Sequence, residues 1–78
     1  MPQYHFDCQR SADPADQIDG VACSAATVGG EYPADNANDA WKFAESMCFI
    51  PGTWTIKMRN GRRRLKPRKV VVEFAKAN

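Results

Sequence analysis

Trp54, Ile56 and Met58 alternate with Thr53, Thr55, Lys57 and Arg59 and run directly into Asn60-Gly61. Large apolar residues at period two mark a strand with one buried face, and Asn-Gly is a strong hairpin signal because both residues tolerate positive φ. The chain is therefore expected to turn back and pair with the segment downstream of the turn. Val70, Val72 and Phe74 supply the matching alternation, with Val71 and Glu73 facing away. Pro67, between turn and strand, cannot donate to a central ladder, and so implies an edge, a bulge or a loop.

A second period-two segment opens the chain. Tyr4, Phe6 and Cys8 alternate with His5 and Asp7, which predicts a half-buried strand over residues 3–8. The turn formers and acids of residues 11–20 connect it to a weaker strand at about Val21 to Val28, whose alanines have little β preference. Gly29-Gly30 is expected to break that strand, and Pro33 to delay the helix that comes next.

Asp35 or Asn36 can cap that helix, with Asp39 near the positive end of its dipole. Ala37, Trp41, Ala44 and Cys48 recur at helical spacing, with Ala40 and Met47 on the flank of the same face, so this stripe should pack on the sheet. Lys42 and Glu45 point to water. Pro51-Gly52 is expected to stop the helix soon after Phe49 and Ile50. The resulting order is ββαββ, an α+β fold with a small antiparallel sheet and one helix packed on it. No internal repeat or linker divides it, so the 78 residues are expected to form a single domain with one modest core and no deep catalytic cleft.

The formal net charge of +2 conceals the sharpest asymmetry in the chain. Residues 1–50 hold two cations and eight acids, a net of −6, whereas residues 51–78 hold nine cations and one acid, a net of +8. Eight of those cations, Lys57, Arg59, Arg62, Arg63, Arg64, Lys66, Arg68 and Lys69, fall in one stretch that contains no acid. Guanidinium forks grip phosphate oxygens bidentately, and a hairpin can lie along a nucleic-acid backbone, so these residues form the candidate binding site. The plainer explanation is a solvated hairpin whose edge is protected by charge, although protecting one edge needs fewer cations. An acidic protein surface is another possible partner. No aromatic is interleaved with the cations, so contact with nucleic acid should favour the backbone over base sequence.

The remaining residues offer less. Cys8, Cys23 and Cys48 are odd in number, widely spaced and set among apolar neighbours, with His5 the lone histidine, so they are expected to be reduced structural thiols without zinc. The acidic spacing from Asp13 to Asp19 follows no calcium-loop pattern and reads as a solvated loop, able to pair with the basic hairpin. His5 reads as a surface histidine, and Trp41 and Trp54 as core. Phosphate-cradling glycines and paired catalytic carboxylates are missing, so neither an enzyme nor a cofactor is expected. No apolar run reaches the roughly 18 residues of a membrane span, and the opening residues carry no secretory pattern, so a cytoplasmic protein is expected.

The opening Met1-Pro2-Gln3-Tyr4-His5-Phe6-Asp7 resembles the MPRYFFD start of a family of small uncharacterised alphaproteobacterial proteins. Glu31-Tyr32-Pro33-Ala34-Asp35, the alanine-bearing helix and the hairpin from Trp54-Thr55-Ile56 to Val72-Glu73-Phe74 come in that family's order. The basic stretch from Arg62 to Lys69 departs from its pattern, so this resemblance implies a fold and no function. The size, the ββαββ order and the basic hairpin are also similar to small phage-encoded anti-CRISPR proteins that inhibit type I systems. That likeness implies a non-enzymatic inhibitor that binds the Cascade nucleoprotein complex, blocks target DNA and binds DNA weakly itself, and it transfers no individual residue. The competing expectations are a sequence-independent nucleic-acid-binding protein and a housekeeping domain that self-associates through its charge asymmetry.

Overall fold

The structure, a computed structural model, describes residues 2–17 and 24–73. Its elements are β1 (Gln3–Arg10), a 3-10 turn (Pro14–Asp16), β2 (Ala26–Pro33), α1 (Ala37–Met47), β3 (Gly52–Asn60), β4 (Arg63–Arg64) and β5 (Arg68–Val72). β1 lies in the middle of an antiparallel sheet with β2 on one side and β3 on the other, and both β4 and β5 pair with the far side of β3. The fold is α+β in the order ββαββ, with its last strand interrupted. One helix covers one face, and a shortest dimension of 16 Å matches that two-layer build.

Opposed residues of an antiparallel pair share a face, so the register sorts the side chains. Tyr4, Phe6 and Cys8 meet Tyr32, Gly30 and Val28 on one side and Asn60, Met58 and Ile56 on the other, all towards α1. The helix answers with Ala40, Trp41, Ala44 and Cys48, which are buried against the sheet, and with half-buried Ala37, Phe43 and Met47. Its alanines let the backbone approach closely, and its two large rings reach in opposite directions. Phe43 stacks on Tyr32 of β2 at 4.0 Å and meets Phe6 edge-on at 5.6 Å, whereas Trp41 lies under Arg68 of β5.

Cys8 and Cys48 are buried free thiols that both donate to the Ala44 carbonyl, at 3.8 and 3.5 Å. Burial pushes the Cys8 thiol up to about 12, with the neighbouring Cys48 adding to the shift, and burial also raises Cys48. They act as small core residues. Cys23 lies outside the described residues.

The observed elements correct three sequence expectations. The second strand spans Ala26–Pro33, beginning after Ser24 and Ala25, and it runs through Gly29-Gly30 instead of ending there, while residues 21–23 of the expected strand lie outside the described residues. Gly30 sits opposite Phe6, whose ring lies 3.4 Å from where a Cβ would stand, so the aromatic supplies the missing side chain from across the ladder. The helix stops earlier than Pro51-Gly52 suggests. Asn36 caps its start by accepting from the Asp39 amide at 2.9 Å, and the Cys48 amide closes its end on Glu45 at 3.1 Å. Phe49 and Ile50 therefore fall beyond the helix and are exposed. The hairpin turn, finally, is centred one residue later than expected, on Gly61-Arg62. Asn60 pairs with Arg63, and Gly61 takes the positive φ of 62° at the first central position. Phe74 lies outside the described residues.

Candidate functional site

Pro67 marks a bulge. Arg59 pairs with Arg64 and Ile56 with Arg68, so residues 65–67 stand against only Lys57 and Met58. The Leu65 amide still bonds the Met58 carbonyl at 2.9 Å, which leaves Lys66 and Pro67 facing Lys57 as the two-against-one step. A proline is suited to that place, because its nitrogen has no proton to leave unpaired. The single extra residue resets the alternation of everything after it.

This step divides the eight predicted cations. Lys57, Arg59, Arg64 and Lys69 share the sheet face away from α1, as their register with Asp7, His5, Arg59 and Thr55 requires. Arg62 occupies the hairpin turn and Lys66 the bulge. Arg63 and Arg68 fall in register with Asn60 and Ile56, on the helix side. Arg68 is not free for a partner in the same way as the others. Its guanidinium lies 4.4 Å from the centre of the Trp41 ring, where it covers the core as a packing residue.

Among the described residues, only Lys69 of the eight forms an ion pair, with its Nζ 3.9 Å from Asp16 Oδ1, although Asp7 stands opposite Lys57 across the ladder. Asp16 is itself set by the acidic loop. Asp13 caps the 3-10 turn through the Ala15 amide, Ser11 Oγ donates to Asp16 Oδ2 at 2.9 Å, and Thr53 Oγ1 donates to the Asp16 carbonyl. The loop thus covers one end of the open sheet face and leaves Lys57, Arg59 and Arg64 at the other. Asp19 lies outside the described residues.

The open face carries a cavity of about 750 Å³ that the sequence did not lead one to expect. Its floor is the ladder between residues 5–7 of β1 and residues 57–59 of β3, and its outer wall is Arg64, Leu65 and Pro67 where the bulge swings out. His5 lies on this face with its Nδ1 3.1 Å from Glu31 Oε1, so it belongs to the site although its sequence context marks it only as a surface residue. Pro67 was the available sign of the cavity, since a bulge bends its strand.

No protein-family model, curated protein or solved structure matches this chain. The site must be read from its own chemistry. Among the described residues, no helix is long and apolar enough to cross a membrane. Trp54, fully buried with its indole nitrogen donating to the Ile50 carbonyl at 2.9 Å, and Trp41, buried under Arg68, are both core residues. Among the described residues, the open face carries no Phe, Tyr or Trp ring to stack a base, and it presents a row of exposed cations beside His5 and Asp7.

Proposed function

We propose that this chain is a non-enzymatic, cytoplasmic binding protein that docks the cationic face of β3, β4 and β5 on a nucleic-acid backbone without reading base sequence. The observation that carries this reading is the placement of Lys57, Arg59, Arg64 and Lys69 on one open sheet face, three of them in no ion pair among the described residues. Cations held this way release the counterions of a phosphate backbone on contact. Contacts to phosphate oxygens fix a protein on the strand and carry no sequence information.

The narrower role of a phage inhibitor of Cascade rests on size, element order and the basic hairpin. A path that holds DNA phosphates is itself electropositive, so a basic face suits the exposed RNA or DNA of such a complex better than the vacant path. The direct nucleic-acid reading is therefore preferred, and an interference assay in cells with an active type I system tests the narrower one.

Fluorescence anisotropy with two DNA strands of unrelated sequence tests the main reading. Both should bind alike at about 50 mM salt, and the four face cations predict a slope of log K against log salt of about −3. Replacing Lys57, Arg59 and Arg64 with glutamate should abolish binding, with circular dichroism unchanged. No binding of the wild-type protein at low salt, or full binding by the folded triple variant, would refute it.

A further inference from the structure

Arg59 and Arg64 stand directly opposite one another across the β3–β4 hairpin. Like charges in that position destabilise a sheet, because their Cβ atoms are only about 5 Å apart. Neither has a carboxylate within ion-pair distance among the described residues, and Lys57 lies one step along the same face, opposite Asp7 but not ion-paired with it. Arg59 is also held in place, since its Nη1 donates to the Gly61 carbonyl at 3.0 Å and its other N–H groups remain available. The three cations border the 750 Å³ cavity, whose volume is within the range of small-molecule sites.

A strand passing over a flat basic face needs no cavity and offers one negative charge per phosphate. A terminal phosphate monoester carries nearly two charges and three acceptor oxygens, enough to occupy two guanidinium forks at once. The cleft is polar in a second sense. Its β3–β4 side is cationic, whereas its β1 side bears Asp7, whose carboxylate already accepts from Gln9 Nε2 at 3.3 Å and has oxygen lone pairs left for an exocyclic amino group. Pro67 gives the outer wall an apolar surface, whereas the Leu65 side chain, opposite Met58, packs on the core.

Resting on the backbone-binding reading above, we propose that this cleft holds the phosphorylated terminal nucleotide of a nucleic-acid strand. The phosphate monoester sits between Arg59 and Arg64 with Lys57 beside it, and the nucleoside lies against Pro67 with Asp7 at its edge. The face then binds strand ends in preference to strand interiors.

Three labelled DNA strands of one sequence test this, bearing a 5′-phosphate, a 3′-phosphate or hydroxyls at both ends. At least one phosphorylated strand should bind about ten-fold more tightly than the hydroxyl strand, as expected for a charge-assisted, bidentate contact. The double variant Arg59→Gln/Arg64→Gln should remove that difference, and Arg62→Gln, in the turn, should retain it. Equal affinities within about two-fold overturn the proposal, since one bidentate contact alone exceeds that difference. In that case a shared, salt-dependent affinity leaves the backbone reading standing, and no binding by any strand removes both. A preference that survives in the folded double variant places the phosphate elsewhere and also overturns the proposal.

Discussion

Alanine at Gly52 tests how the start of β3 is built. Gly52 has φ of 144°, and a Cβ there would lie 2.6 Å from Arg10 Cδ and 2.9 Å from Cγ. The backbone term is about 1–3 kcal/mol for a side chain forced into a sparsely populated region. The Arg10 side chain can retreat, but it is anchored by Nε donating to the Ser24 carbonyl at 2.8 Å and Nη1 donating to the Pro51 carbonyl at 3.2 Å. Losing one such charged but partly solvated hydrogen bond costs about 1.5 kcal/mol, so Gly52→Ala should cost about 3–4 kcal/mol in all. A chain of this length is stable by roughly 4–12 kcal/mol, so the variant should lose a large part of its stability.

Urea unfolding monitored by tryptophan fluorescence measures this, with an unchanged slope confirming that the two states are the same. The companion variant Arg10→Ala removes the obstacle, and in that background Gly52→Ala should cost only the backbone term of about 2 kcal/mol. A cost below about 0.5 kcal/mol in the wild-type background refutes the reasoning as a whole. Equal costs in both backgrounds refute the part assigned to Arg10.

The packing makes two further outcomes testable. The Cys8 thiol is raised from 9.0 to about 12, so the folded state holds its proton more tightly than the unfolded chain does. Its contribution is complete below pH 9 and is lost as the pH climbs from 9 towards 12. The urea midpoint of the wild type should therefore fall more steeply over that window than that of Cys8→Ala, and parallel falls would contradict the burial of this thiol. Arg68→Ala should cost about 0.5–1 kcal/mol by loss of the contact with Trp41, while changing strand affinity by less than about two-fold. A loss of affinity as large as that of Arg59→Gln would place Arg68 in the interface instead.

Much of the framework was legible because β1, α1 and β3 each repeat an apolar residue at the period of their element. Tyr4, Phe6 and Cys8, or Trp54, Ile56 and Met58, can be assigned a face with no knowledge of a neighbour, and Asn36 announces the helix start by its own side chain. β2 was misplaced because Gly29-Gly30 acts as a break only where nothing fills the space above it. Phe6 fills that space from another strand, and no local pattern contains that fact. The basic cluster was legible as a cluster and illegible as a surface. Which cations share a face depends on where the bulge inserts its extra residue, and an error of one position inverts every side chain beyond it. Arg68 shows the result, since it is counted among the candidate ligands by sequence and is found over the Trp41 ring.

The two-against-one step at Lys66 and Pro67 also bears on how these molecules behave in a crowd. Taking out either residue would restore a regular ladder, with one uninterrupted strand from residue 63 to residue 72 along β3. Its outer rim would then offer a long, even row of unpaired amides and carbonyls, and Val70, Val71 and Val72 have the high β preference of sticky segments. Such a rim invites a neighbouring chain to add itself as the next strand. Pro67 bends the rim and removes one donor from it. A variant lacking Pro67 should therefore be as well folded as the natural chain yet precipitate at lower concentration.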